Sequence, residues 1–527
     1  MSLPVLLVSL TLAAAFVFSR LRKPRHQLPL PPGPKKLPIV GNLLDIPNER
    51  QWLAYHQWSR DYDSDIIHLD ACGTSIIVVE SMEAIRELFD RRSSIYSDRM
   101  HLPMVVDLMG WGWSMAFMPY GERWRAHRKT MHDSFNVTAV KQFQAQEVEA
   151  CNELLRSLLV DPSDVVVLFR QFAGRLSLEV AYGIKVQPGD PYLEIVEEAM
   201  LGVSIASIPG TFLVDTFPIL KYVPSWLPGA SFKRKAARWW KVTNDVLNQP
   251  FQEVKNNLDH GSATPSFTVN ALDNPNIQTS QQSDTVRNVA AAIYAAGADT
   301  TAAALGWFVF AMLAYPETQA KAQAELDAVL GHGVLPTFAD QQALPYVAAL
   351  VKEVLRWRTI TPVGNCQGPV HRLHAAESFS AVPHFVAVED EYRGYRIPAQ
   401  SIVIGNSWAI LHDKDVYPNP DQFKPERFLR DGKLNPDIRD PETAAFGFGR
   451  RICPGRHMAM ASVWLSIASI LATFKISKAV DEHGETMEPT YEYLTGLICA
   501  PLPFKCSIML RSLQTAEAIR SLNAHEI

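Results

Sequence analysis

The sequence predicts a mainly helical fold with a small β region. Three observations lead there. Apolar residues recur three and four apart over about 122–160, 190–208, 231–258, 285–315, 317–330, 344–357 and 455–473. Strand-like runs are fewer and shorter, at 66–69, 76–79 and 401–404. The chain has 527 residues, 47% hydrophobic and 20% charged, which is ample for a large core and excludes a disordered or collagen-like protein. Its formal net charge of −5 gives no whole-chain electrostatic case for nucleic acid as a partner. The bases and aromatics of 231–241 read as a solvated helix face. Six scattered cysteines with no CxxC pair argue against a disulfide framework or zinc finger and fit a reducing compartment.

The elements follow in order. Residues 3–18 are apolar apart from Ser9 and Thr11, a helical length of about 24 Å against a hydrocarbon core of ~30 Å. The expectation is a transmembrane signal-anchor over 1–19. A cleaved signal peptide is the rival, but Ala13-Ala14-Ala15 sits inside the apolar run and no Lys or Arg precedes it. The basic run Arg20-Leu21-Arg22-Lys23 keeps the body cytosolic, so a sequon at 136–138 would go unused. A basic, proline-rich hinge over 20–41 is stiff and extended because proline fixes φ and removes N–H donors. The body is expected over 42–510, with a turn-rich connection at about 259–284 and a polar C-terminal tail over 511–527.

The most informative segment is Phe446-Gly447-Phe448-Gly449-Arg450-Arg451-Ile452-Cys453-Pro454-Gly455, followed by an apolar helical run. Glycines there permit tight turns and the approach of a flat cofactor. Pro454 suits the first turn of a helix, which puts Cys453 at a helix N-terminus, where amides and the macrodipole favour a thiolate and lower its pKa. Phe446 would shield the sulfur, and Arg451 could neutralise a cofactor carboxylate. The alternative is a buried structural cysteine in a Gly-rich turn. Five fixed positions, Phe446, Gly449, Arg451, Cys453 and Gly455, arise by chance on the order of once in a million start sites.

This loop resembles the haem-binding loop of the cytochrome P-450 superfamily, and three further motifs resemble the family in the same order. Residues 284–315 form an almost wholly apolar segment that contains Ala296-Gly297-Ala298-Asp299-Thr300-Thr301. A mid-helix glycine and a buried carboxylate both cost free energy, which points to use. The resemblance implies that Ala296 and Gly297 pass close over haem and that Asp299 and Thr300 relay protons for oxygen activation; a helix kink with ordinary Thr back-bonding is the alternative. Glu353 and Arg356, at i and i+3, would interlock with Arg427 of Pro425-Glu426-Arg427-Phe428 in a structural role. Trp124 and Arg128 share a helix face and match the family's haem-propionate contacts, as does His384.

What the resemblance implies is a cytochrome P-450 fold, with haem between a long central helix and the cysteine-loop helix. It further implies haem b on the Cys453 thiolate, dioxygen, and electrons from NADPH through a membrane-bound NADPH–cytochrome reductase, with cytochrome b5 as an optional donor. The protein would sit in the endoplasmic reticulum membrane. Arg123, Arg125, Arg128 and Lys129 offer a docking face to an acidic reductase. Stretches at 108–111, 208–210 and 232–235 resemble basidiomycete microsomal members of specialised metabolism, a branch that includes tryptamine hydroxylation. Substrate-contact candidates at 104–118, 205–212, 295–298, 360–363 and 494–498 are apolar and suit a lipophilic terpenoid or aromatic molecule. One rival is a haem-thiolate isomerase or dehydratase without a reductase; another is a membrane-anchored binding protein. The chain departs from the family pattern at 364–380, seventeen residues without periodicity, either a real loop at the pocket or a translated intron.

Overall fold

The computed structural model describes residues 28–522 except 48, 187–188, 208–210, 276, 364–381, 491 and 495–497. The expected membrane anchor and the segment 364–380 lie outside the described residues. Among the described residues, α-helices of six residues or more are α1 (Gln51–Asp61), α2 (Glu122–Phe135), α3 (Gln144–Val160), α4 (Val165–Tyr182), α5 (Pro191–Ala206), α6 (Ser231–Asp259), α7 (Phe267–Leu272), α8 (Ser280–Ala314), α9 (Pro316–Leu330), α10 (Pro345–Trp357), α11 (Arg456–Thr473) and α12 (Leu513–Ser521).

The helix that organises the molecule is α8. At 35 residues it spans about 52 Å. Thr279 and Gln282 close a capping box at its start, and Pro316, placed where a helix begins, hands the chain on to α9. Its polar first turn, Ser280 to Ser283, hides it from an apolar-periodicity reading that starts at 285. It is also the one helix among the described residues long and apolar enough to cross a bilayer, yet most of it is buried in protein. Helix α4 packs along it, and α11 packs against α3, α8, α9 and α10.

Two expectations are corrected. The single periodic stretch 122–160 is two helices: the Asn136 side chain accepts from the backbone N–H groups of Thr138 and Ala139, and a short 3-10 turn, Ala139–Phe143, separates them. Helix α4 was not expected at all. Its signals are at its ends, an Asp164 cap that accepts from Val167 N–H and a Gly183 at φ 70° just past its C-terminus.

The small β region has the expected strands. Strand β1 (Ile66–Ala71) runs antiparallel to β2 (Thr74–Val79), with Ile66 opposite Val79. After β3 (His384–Phe385) and a hairpin of β4 (Asp390–Tyr392) and β5 (Tyr395–Ile397), strand β6 (Ile402–Gly405) inserts parallel to β2, giving the order β1-β2-β6-β3. The described part of the proline-rich hinge lies against this sheet, Pro32 O accepting from His68 N–H at 2.9 Å. Part of the expected polar tail is also docked: α12 buries Ala516 and Ile519.

Candidate functional site

The cysteine loop is held from both ends. The Cys453 N–H donates to Phe446 O at 2.8 Å. Gly449, at φ 58°, admits no side chain, because an added Cβ would lie 2.2 Å from Phe89 O. Phe446 therefore contributes a carbonyl that closes the loop, and it is Phe448 whose ring stacks on Phe89. Helix α11 starts immediately after, with Gly455 as its cap. The N–H groups of Gly455 and Arg456 and the charges of Arg128 and Arg456 all favour the thiolate, but burial outweighs them and the thiol pKa is raised. The helix-terminus effect expected from sequence is present; its net sign is reversed by desolvation.

Cys453 faces a cavity with about 1380 Å³ of space free of protein atoms, part of it open to solvent. Its walls include Gly455 from the loop, Ala296, Gly297 and Thr300 from α8, and Trp124 and Arg128 from α2. At Gly455 an added Cβ would meet no atom within 4 Å, so the glycine leaves cavity space that a side chain would fill. At Gly297 the constraint is on the other side, because a Cβ would sit 2.2 Å from Ser177 Oγ of α4. Close helix packing thus requires that glycine as directly as any ligand does.

Three guanidinium groups converge on the same cavity. Arg451 donates to the carbonyls of Ser97, Met115 and Met118 at 2.7, 2.9 and 2.8 Å and lies 4.5 Å from the Trp124 ring centre. Arg128 donates to Ile452 O at 2.7 Å, and Arg99 to Ala116 O and Pro383 O at 3.1 and 2.8 Å. Among the described residues none of the three makes an ion pair. Desolvation lowers the pKa of all three, well below the ordinary range for Arg99 and to about 10 for Arg451. Cations in that condition suit a ligand with carboxylates. A flat, carboxylate-bearing cofactor against Cys453 therefore fits the residues present. Arg99 was missed by sequence reasoning, since the carbonyls that aim it belong to segments far from it in sequence.

His384 is placed differently from expectation. It is buried in β3, its Nδ1–H donates to Tyr96 O at 2.6 Å, and it packs edge-on to Phe89. Burial and the nearby Arg99 and Arg451 charges hold it neutral, and it does not line the cavity. Its place is behind the arginines.

Asp299 and Thr300 are neighbours on α8 and point to different surroundings. Thr300 lines the cavity and its Oγ1–H donates to Ala296 O at 3.1 Å. Asp299 is buried and borders two small clefts that it shares with Arg170. Of the expected substrate-contact segments, residues 111, 113–116 and 295–297 reach the cavity, together with Phe135, Ala173 and Leu176 that were not foreseen. Leu494 and Ile498 line one of the clefts instead.

The structural motif is complete. Arg356 donates from Nε and Nη2 to the two Glu353 oxygens at 2.7 and 2.9 Å, and Arg427 Nε reaches Glu353 Oε1 at 3.1 Å. Arg356 Nη1 also donates to Leu411 O at 3.0 Å, and Lys424 N–H to Glu353 Oε1 at 2.7 Å. Neither Glu353 nor Arg356 has solvent exposure.

The sequence model of the family described as Cytochrome P-450 matches residues 31–367 and 370–508. Among curated relatives, cytochrome P-450 monooxygenase 98 of Postia placenta is 45% identical over 98% of this chain and 96% of its own. Tryptamine 4-monooxygenase of Psilocybe cyanescens is 40% identical over 98% and 99%. Cytochrome P-450 monooxygenase ple1 of Rhodocybe pseudopiperita is 43% identical over 99% and 96%.

Proposed function

Since the chain belongs to the cytochrome P-450 family, and its relatives are fungal monooxygenases, we propose that it hydroxylates a neutral lipophilic molecule of fungal specialised metabolism, using dioxygen and electrons from NADPH through a membrane-bound reductase. The observation that carries this reading is the Cys453 thiol on the wall of a largely apolar cavity that three unpaired guanidinium groups also face.

Haem b, bound through the Cys453 sulfur, supplies the oxygen chemistry. The rest falls to the chain. Arg99, Arg128 and Arg451 hold the cofactor carboxylates, with Trp124 as the floor under Arg451. The walls of Trp111, Trp113, Ile293 and Leu176 exclude water and orient an apolar substrate. Thr300 Oγ1 presents a hydroxyl to the cavity, and the neighbouring Asp299, on the cleft side of α8, would be the acid that supplies protons towards it. Among the described residues that line the cavity there is no Asp or Glu. That described lining suits a neutral substrate of the terpenoid kind.

The membrane reading has its own support. Leu213, Phe217, Ile219, Tyr222 and Trp226 are exposed on one stretch of chain, and Ile39 at the end of the hinge and Leu44 just after it are exposed too. On this reading they would lie on the endoplasmic reticulum bilayer, beside the apolar run of residues 3–18.

The test is a carbon monoxide difference spectrum on reduced microsomes that contain the full chain. A thiolate-type Soret band is expected, and its loss in Cys453→Ser. Its persistence in that variant would reject the assignment. Product formation that needs NADPH separates hydroxylation from isomerisation on the same fold. A high-spin spectral shift with neutral terpenoids, and none with tryptamine, checks the substrate class.

A further inference from the structure

One buried acid has no part in the chemistry above. Glu147, on α3, is 1% exposed. Its carboxylate oxygen Oε1 accepts from Ser462 Oγ at 2.7 Å, and among the described residues it has no ion pair. Ser462 lies on α11, nine residues after Cys453, and lines the same cavity as the thiol. The hydroxyl has a second acceptor in reach, Met458 O at 3.0 Å. With Glu147 ionised, Ser462 donates to it. With Glu147 protonated, the carboxyl can donate to Ser462 Oγ while the hydroxyl turns to Met458 O. The cavity wall therefore carries a hydrogen-bond switch set by one proton.

We propose that Glu147 is a redox-linked proton site: its carboxyl takes one proton from solvent when the cofactor beside Cys453 takes one electron from its reductase, and returns it on reoxidation. The inference rests on the reading that a redox cofactor occupies this cavity. The physical basis is that an added negative charge in a low-dielectric space disfavours a second one nearby, so electron and proton arrive together. Burial already pushes the Glu147 carboxyl up to about 7, opposed only by the Ser462 hydroxyl. Charged or titratable groups on the elements packed against α3 are Arg170, Arg175 and Glu179 on α4, Arg456 and His457 on α11, Glu517 and Arg520 on α12, and Lys141 in the 139–143 turn. None of them shifts Glu147. Cys151, one turn along α3, is itself raised to about 11 and stays a thiol across this range.

The experiment is a dye-mediated spectroelectrochemical titration of the full-length holoenzyme at pH 6, 7 and 8. The reduction equilibrium constant is expected to fall about tenfold over that span, because each rise in pH makes the accompanying proton scarcer. In Glu147→Gln the fall should shrink at least to about threefold. Ser462→Ala keeps the acid but removes the bond that favours its charged form, so its pH dependence should centre at higher pH. That second variant decides the matter should Glu147→Gln lose its pigment on folding. Purified chain without pigment overturns the reading of the site and this inference with it. Pigmented Glu147→Gln with an unaltered slope, or Ser462→Ala with an unmoved centre, overturns this inference alone.

Discussion

Glu353 is a carboxylate with no solvent exposure, and its stability rests entirely on three donors: Arg356, Arg427 and the Lys424 N–H. Removing one partner of a buried pair leaves the other charge uncompensated, at a cost of about 3–5 kcal/mol. Glu353→Gln and Arg356→Met are each expected to lose about that much, read as a lowered urea midpoint together with loss of pigment. Arg356→Lys should not rescue, because an ammonium cannot meet both Glu353 oxygens and the carbonyls of Leu411 and Pro420 at once. This triad was readable in the sequence because each member sits in a fixed local pattern. His384 was not readable in the same way. Its tautomer and neutrality are set by Tyr96 O, Arg99 and Arg451, and none of these is near it along the chain. Arg99 escaped notice for the same reason. The fate of the Cys453 thiol also needed the fold, since the amides that lower its pKa are local while the burial that raises it is global.

Helices α4 and α8 meet at Gly297, where a Cβ would come within 2.2 Å of Ser177 Oγ and 3.2 Å of its Cβ. Helix propensity alone would make Gly297→Ala stabilising by about 1 kcal/mol. Overpacking at a close helix contact costs about 1–3 kcal/mol and outweighs that gain. Gly297→Ala is therefore expected to lower the thermal midpoint of the holoenzyme and to disturb the cavity wall next to Thr300. Adding Ser177→Ala should recover part of the loss, since the hydroxyl goes but its Cβ remains close. An additive double variant, with no recovery, would show that the glycine serves the cavity and not the helix contact. The apolar length of α8 was plain from sequence, but its partner was not. Three valines open α4 and a glycine sits mid-run, which blurs the helical period, and only the caps at Asp164 and Gly183 mark it. The two-helix division of 122–160 is marked by Asn136, whose side-chain oxygen accepts from the N–H groups of Thr138 and Ala139.

Across the whole molecule, buried titratable groups set a pH window for stability. Burial raises Glu147 to about 7 and Asp215 to about 6, and lowers His68 to about 4 and His412 to about 3. The folded state binds more protons than the unfolded chain at the two acids, so their contribution is complete below the ordinary carboxylate range and is lost as pH rises through 6 and 7. At the two histidines it binds fewer, so their contribution is complete above the ordinary imidazole value and is lost as pH falls towards 4 and 3. Glu147→Gln removes its own share of the acid contribution and leaves those of Asp215 and the two histidines. Relative to the parent, the variant is expected to gain about 2 kcal/mol of stability between pH 5 and pH 7 and little more above it, while the charging of His68 and His412 weakens both chains below about pH 6 on top of that difference. Guanidinium midpoints of the two proteins, measured at half-unit steps from pH 5 to 8, check it. Parallel curves between pH 5 and pH 7 would mean that Glu147 finds a counter-charge in solution that its buried position on α3 does not provide.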